Sequence, residues 1–248
     1  MKLSVIIPCF NEEKTISQVI EKVIKNNYQN KEMIIVDDCS TDNSRNIIDK
    51  FKKNKQVKVI YNRKNMGKGY CVRTAIELAS GDICLIQDAD LEYDPSEHTL
   101  LLNPILEGVA DVVYGSRFRG YGVSRTIYFW HRVGNFVITM LCNIFTNLNL
   151  TDVETCFKAI KTEKLKKIKL KENRFGIEPE ITIKLSKIKC KFYEVGISYY
   201  GRDYNEGKKI TWIDGITAIY SIFRYSLFKW IKMERCESGL ISTLGKRV

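Results

Sequence analysis

The chain lacks any Cys-x-x-Cys pair: Cys9, Cys39, Cys71, Cys84, Cys142, Cys156, Cys190 and Cys236 are scattered, several of them inside apolar runs. Such spacing argues against a zinc site or a disulfide framework and predicts reduced, buried thiols. An uninterrupted apolar run of the ~20 residues that a membrane-spanning helix needs is also missing. Met1-Lys2 leads straight into the apolar Leu3 to Ile7, a run too short for a signal-peptide core. A cytosolic protein that meets any membrane from that side is therefore expected. There is no internal repeat and no low-complexity linker. The 248 residues suit one α/β domain with an appendage. A formal net charge of +11 points to an anionic partner, whether nucleic acid, lipid surface or phosphorylated small molecule, and charge alone does not choose among them.

Short β-type runs alternate with helical patterns through the first half. The strands are read at Leu3 to Ile7, Met33 to Val36, Val57 to Tyr61, Ile83 to Ile86 and Val112 to Tyr114. Helices are read at about Glu13 to Asn26, Asp42 to Lys53, Gly67 to Ala79 and Ser96 to Glu107. This rhythm predicts an α/β fold with a mostly parallel sheet flanked by helices, whose ligands bind at the carboxyl ends of the strands. The second half differs. Residues 126–148 place Val133, Val137, Met140, Leu141, Ile144 and Leu148 at helical spacing, interrupted by His131 and Arg132. A second pattern, residues 212–232, aligns Ile216, Ile219, Phe223, Leu227 and Trp230, with Arg224, Lys229 and Lys232 as cations. Aromatic and basic residues combined in this way suit a membrane interface, and packing on the sheet or in a dimer is the alternative. The lysines of 158–171 read as a solvated face or a contact with anionic lipid.

Three strands end in polar side chains. Asp88-Ala89-Asp90 directly follows the strand Ile83 to Ile86, with Glu92 just beyond. A turn there can bring the carboxylates to one ion, and hard oxygen ligands suit Mg²⁺ or Mn²⁺ shared with substrate phosphates. A turn and helix cap before Pro95 accounts for Asp94 but leaves Asp88 and Asp90 without a task. Asp37-Asp38, with Ser40 and Asp42 behind, closes the second strand and offers acceptors for a base N–H or a ribose hydroxyl, Asp42 being a cap for the next helix. Pro8 and Asn11-Glu12 close the first. Gly67-Lys68-Gly69 is a shaped loop first and a phosphate contact second, since its spacing is not that of a Walker motif.

These blocks, Val5-Ile6-Ile7-Pro8 with Asn11-Glu12, Val36 to Asp42, Gly67-Lys68-Gly69 and Asp88-Ala89-Asp90-Leu91-Glu92, closely resemble family 2 glycosyltransferases of the Rossmann-like GT-A fold. Further matches are Gly115-Ser116-Arg117, Thr151 to Lys158, Arg174-Phe175-Gly176 with Glu178 and Glu180, and Gly201-Arg202 followed by Glu206 to Lys209. They narrow the resemblance to the branch typified by dolichol-phosphate mannose synthase and bacterial polyprenyl-phosphate glycosyltransferases. It implies a catalytic domain over 1–211, whose 126–148 helix faces acceptor and membrane, and an amphipathic helix with a basic tail over 212–248.

The resemblance also implies residue roles. Pro8, Asn11, Glu12, Asp37, Asp38, Lys68, Asp88, Ala89 and Lys208 would line the donor nucleotide site. Asp88, Asp90 and Glu92 would hold the metal, Arg202 would contact the diphosphate, and Arg117 and Arg132 would grip an acceptor phosphate. Relatives often carry glutamine at the position of Glu92. The expected reaction is inverting transfer from a UDP- or GDP-sugar to a polyprenyl phosphate at the cytosolic membrane face. A glycan hydroxyl is the alternative acceptor, with Asp152 or Glu154 as its base. A nucleic-acid partner is not expected, because acidic strand ends repel phosphate unless a metal intervenes. The sequence admits a homo-oligomer.

Overall fold

The computed structural model describes residues 1–120, 122–126, 128–209 and 211–227. The runs rich in Val, Ile and Leu form β1 (Leu3–Cys9), β2 (Lys31–Asp37), β3 (Val57–Tyr61), β4 (Ile83–Ile86) and β5 (Val112–Ser116). Two further strands, β6 (Lys158–Lys161) and β7 (Phe192–Gly196), complete a sheet of order β3-β2-β1-β4-β6-β5-β7. Neighbours are parallel except that β6 runs antiparallel to both β4 and β5. The fold is thus mixed α/β with a mostly parallel central sheet, as expected. β1, β2 and β4 are buried on both faces, which explains their nearly continuous apolar reading.

Helices α1 (Ile16–Lys25), α2 (Ser44–Asp49), α3 (Lys68–Leu78) and α4 (His98–Leu106) follow β1 to β4. They are shorter than the sequence pattern, α2 most of all. Asp42 accepts the Ser44 N–H at 2.9 Å and the Glu13 N–H at 3.0 Å, so it ties two loops together where the helix was expected to begin. α5 (Phe129–Thr146) follows β5, α6 (Thr162–Lys167) follows β6, and α7 (Ile177–Lys187) lies almost wholly in the core.

β6 corrects the reading of 158–171 as one lysine-rich face. Lys158 is fully buried, and its ammonium bonds the carbonyls of Val153 and Thr155 and the carboxylate of Glu178. Lys161 pairs with Ile83, at the amino end of β4. The remaining lysines of α6 therefore begin at the edge of the sheet opposite the end of β4.

α5 and the helix over 212–227 carry the two apolar patterns read from the sequence. α5 buries Ile138, Thr139 and Cys142, while Phe129, Trp130, Phe136, Met140 and Ile144 stay exposed. The 212–227 helix buries Ala218, Ser221 and Ile222 and leaves Trp212, Ile213, Ile216, Tyr220, Phe223 and Leu227 exposed. Phe145 meets Phe223 edge to face, with centroids 5.4 Å apart, so the two helices abut. Arg224 and Tyr225 anchor the second helix on Glu172 at 3.0 and 2.7 Å. Ala218, Ser221 and Ile222 dock this helix, and most of its other large apolar residues face outward. No helix among the described residues is long and apolar enough to cross a membrane. The expected basic tail, 228–248, lies outside the described residues.

The glycines of Gly67-Lys68-Gly69 have a packing cause. A Cβ on Gly69 would stand 2.4 Å from the Glu172 carbonyl oxygen, and Gly67, at φ +95°, faces the Asn173 carbonyl at the same distance. Neither obstacle is a side chain that can swing away. Gly69→Ala is expected to destabilise the fold by about 1–3 kcal/mol. Thermal denaturation should show a lower Tm, and an unchanged Tm would remove this account of the loop.

Candidate active site

The parallel register sets the site. Cys9 lies opposite Asp37 and Ile6 opposite Ile86, so the loops after β1, β2 and β4 leave one edge side by side. Two of these exits turn through positive φ, Asn11 at 50° and Cys39 at 64°. Asn11 serves the loops themselves: its Oδ1 accepts the Thr41 N–H at 2.8 Å, and its own N–H reaches Ser40 Oγ at 2.9 Å. Pro8, half-buried in β1, completes this wall.

The two aspartates after β2 have opposite fates. Asp38 is bonded on both oxygens, with Oδ1 accepting from Met66 N–H and Asn62 Nδ2 at 2.8 Å each, and Oδ2 from Gly67 N–H at 2.7 Å. It braces the turn into α3. Asp37 is fully buried; its Oδ2 accepts from Arg45 Nε at 2.6 Å and from Ser40 N–H at 3.2 Å, while Oδ1 has no partner. An unpaired buried carboxylate oxygen is costly.

The acidic residues around β4 divide into two groups. Asp88 pairs with Lys68 at 3.0 Å, and Lys68 also reaches Glu178 at 3.2 Å. Burial raises the Asp88 pKa, but the Lys68 ammonium, the Cys156 thiol and the Lys158 charge together hold the carboxyl below its usual range. Ala89 contributes its carbonyl, which accepts Thr15 Oγ1 at 2.9 Å. Asp90 and Glu92 turn to Arg202 instead. Arg202 donates to Asp90 Oδ2 at 2.7 Å, forks onto both Glu12 oxygens at 3.0 and 3.1 Å, and lies 3.4 Å from Glu92 Oε1, which also accepts its backbone N–H at 2.9 Å. Glu92 Oε2 accepts Tyr199 Oη at 2.9 Å. Burial, then the charges of Asp88 and Glu92, push the Asp90 carboxyl well above its usual range.

Among the described residues no three His, Cys, Asp or Glu side chains are grouped as a ready metal cage. Asp88 is paired with Lys68, whereas Asp90 and Glu92 share one counter-cation in Arg202. That pair still fits the group: these are hard oxygen donors, Mg²⁺ needs only one or two carboxylates beside substrate phosphates, and a guanidinium already acts there as their counter-cation.

The acceptor-side candidates lie across β5. Arg117 makes a two-pronged pair with Asp152, Nε and Nη2 each at 2.7 Å, and its backbone N–H adds a third bond at 3.1 Å. Asp152 is fully buried and therefore committed, so the structure does not leave it free as a base. Arg132 is exposed on the first turn of α5 and sits 4.8 Å over the Phe118 ring, which Arg117 also approaches at 5.6 Å. Phe118 thus brings the two arginines together. Lys208 lines a cavity of about 120 Å³ with Arg125, Tyr128 and Arg202.

Several contributors carried no local signal. Arg45 orients Asp37, Lys158 neutralises Glu178, and Lys209, not Lys208, binds Glu12 at 2.6 Å. Arg125 pairs with Glu206 and Asp203, and Tyr204 stacks on Tyr128 and accepts or donates a bond to His131 at 2.9 Å.

Glu154 differs from Asp152. Its Oε1 is buried without a partner, and burial followed by the Glu178 charge raises its carboxyl to about 7. Between pH ~4.5, where the unfolded residue titrates, and about 7, the folded chain holds a proton that the unfolded chain has released. Stability should therefore fall as pH rises through that window. Glu154→Gln should flatten the slope and gain on the order of 1–3 kcal/mol over wild type at pH 8. Urea melts at pH 5 and pH 8 decide it: parallel slopes for both proteins remove the assignment.

Three comparisons bear on this geometry. Residues 4–169 match the family model described as glycosyl transferase family 2. The chain is 29% identical over 238 residues to the dolichol-phosphate mannosyltransferase of Pyrococcus furiosus, covering 93% of this chain and 64% of that protein. It is 26% identical over 242 residues to the UDP-N-acetylglucosamine--dolichyl-phosphate N-acetylglucosaminyltransferase of Methanococcus voltae, covering 90% and 96%. Among solved structures it superposes on glucosyl-3-phosphoglycerate synthase from Mycobacterium tuberculosis, in complex with Mn²⁺, UDP and glucosyl-3-phosphoglycerate, with a TM-score of 0.69. Identity there is 20%, over 91% of this chain and 80% of that one. At that identity the likeness is one of fold.

Proposed function

The chain belongs to glycosyl transferase family 2 and is a glycosyltransferase; on that premise we propose that it moves a sugar, with inversion, from a UDP- or GDP-sugar to a polyprenyl phosphate at the cytosolic face of a membrane. The observation that carries the reading is one of placement. The acidic edge reaches Arg117 through Glu92 and Tyr199, and Arg132, which shares Phe118 with Arg117, stands on α5 among the exposed Phe129, Trp130 and Phe136. The two relatives whose names specify dolichyl phosphate as acceptor support the same choice.

Asp37 Oδ1 would accept an N–H of the base, held in place by Arg45. Asp90 and Glu92 would hold Mg²⁺ or Mn²⁺, which when bound supplies Lewis-acid neutralisation of charge on the departing diphosphate. Arg202 adds forked donors to the same oxygens. A phosphate monoester, with a second pKa near 6, is largely dianionic at neutral pH and needs orientation, not deprotonation. Arg132 provides that orientation from the surface, while Arg117, kept rigid by Asp152, provides it from below. The acceptor oxygen then attacks the anomeric carbon as the bond to the diphosphate breaks. Trp130 and Trp212, 76% and 75% exposed, are the large side chains that would enter the lipid interface.

One observation favours a hydroxyl acceptor: the unpartnered Glu154 oxygen, on a carboxyl poised near neutrality, is a competent base. The two acceptors separate in one assay. Wild-type protein with radiolabelled UDP- or GDP-sugars and polyprenyl-phosphate vesicles should yield label that extracts into organic solvent. Label found only in water-soluble glycan would overturn the lipid reading. Asp90→Ala should lower turnover by about 10²-fold or more with the fold retained, and wild-type rates would unseat Asp90. Arg132→Ala should raise the KM for the lipid phosphate more than that for the donor; the opposite split would assign Arg132 to the donor.

A further inference from the structure

The segment 199–209 is strapped across the acidic edge by two cations, and they are not equivalent. Lys209 bonds Glu12 Oε1 at 2.6 Å and the carbonyls of Phe10 and Asn11, the latter at 3.0 Å. Arg202 shares Glu12 but is also the partner of Asp90 and Glu92. If Arg202 left, Glu12 would keep Lys209 and Glu92 would keep Tyr199 Oη. Asp90 would keep only a bond from the Glu92 N–H, at 3.2 Å. The negative charge exposed by that departure is the Asp90–Glu92 pair, the same two residues that fit a divalent ion.

A guanidinium and a divalent ion cannot both sit on one Asp90 oxygen. Arg202 comes from an irregular segment, and its side chain is 18% exposed. Resting on the donor reading above, we propose that Arg202 is an exchangeable internal counter-ion. It occupies the carboxylates when no donor is present and passes to the diphosphate when metal and nucleotide arrive together. Metal alone must displace that cation from Asp90 and Glu92 and leave it only Glu12, which Lys209 already serves. Metal with nucleoside diphosphate gives that cation a new partner. The two ligands are therefore coupled through one side chain, and each strengthens the other's binding by the same factor.

The exchange also reaches the acceptor side. Arg202 lines the cavity shared with Arg125, Tyr128 and Lys208. Tyr204, two residues on, stacks on Tyr128 at the start of α5 with ring centroids 5.9 Å apart. Moving Arg202 toward the diphosphate shifts a wall of that cavity, so donor loading alters the acceptor's surroundings before the acceptor binds.

Mn²⁺ binding to the full-length chain, by isothermal titration, tests this without measuring turnover. Without nucleotide, Arg202→Met should bind Mn²⁺ at least about 10-fold more tightly than wild type, within the usual range of such couplings. Mn²⁺ should also raise its Tm more. Saturating UDP or GDP should strengthen Mn²⁺ binding to wild type far more than to the variant. Arg202→Lys, which keeps the charge without the fork, should fall between and covers a poorly folded methionine variant. If wild type binds Mn²⁺ with UDP or GDP but neither variant binds Mn²⁺ alone more tightly than wild type, the exchange is refuted and the donor site stands. If wild type binds no Mn²⁺ with either nucleotide, the metal assignment fails and takes the exchange with it.

Discussion

Carboxylates from the ends of β1 and β4 share one edge, and Arg202 is the positive charge that lets them stay there. Three acidic side chains held this close repel one another, and partial burial sharpens the repulsion because water screens it less. A charge arrangement that needs a cation is one that can bind a cation, and the need grows when a diphosphate joins it. The donor site, the strap over 199–209 and the cavity behind it all follow from how this local excess of negative charge is compensated.

Beneath that edge the same problem is solved permanently. Asp88, Lys68, Glu178 and Lys158 alternate in sign through the interior, each within ion-pair distance of the next. Buried pairs of this kind contribute little net stability, but losing one member strands another charge. Their value here is positional, since they tie α3, α7 and the start of β6 to the end of β4. The overall positive charge of the chain thus coexists with an acidic site: many lysines lie at the opposite edge of the sheet, and others are consumed as internal partners.

The outer faces of α5 and of the 212–227 helix obey a different constraint. Each docks through small or modest residues, such as Cys142, Ala218 and Ser221, and turns its aromatic and aliphatic side chains away from the core. Leaving so much apolar area in water is unfavourable. The start of α5 also carries Arg132, next to Arg117 through Phe118. An apolar surface bordering an arginine pair suits the proposed acceptor, with its charged head and hydrocarbon tail.

Much of this was legible from residue order alone. The five leading strands and the polar residues at their ends follow from short runs of branched apolar residues closed by Pro, Asn or Asp, a pattern set by local propensity and burial. β6 and β7 were missed because their lysines and glutamate break that pattern, and only long-range pairing buries Lys158 and makes β6 antiparallel. Helices do occupy 129–146 and 212–227, but periodicity does not say which side of a helix meets the core. Among the site residues, Asp37 and Asp38 are adjacent and alike in chemistry, yet one braces a loop and the other keeps a free oxygen. That distinction depends on Arg45, Asn62 and Gly67 folding back upon them. Asp90 finds its counter-charge 112 residues away in Arg202. Local order specified which groups reach the edge; their partners were decided by the tertiary fold, because charges pair by distance in space and the chain must close before those distances exist.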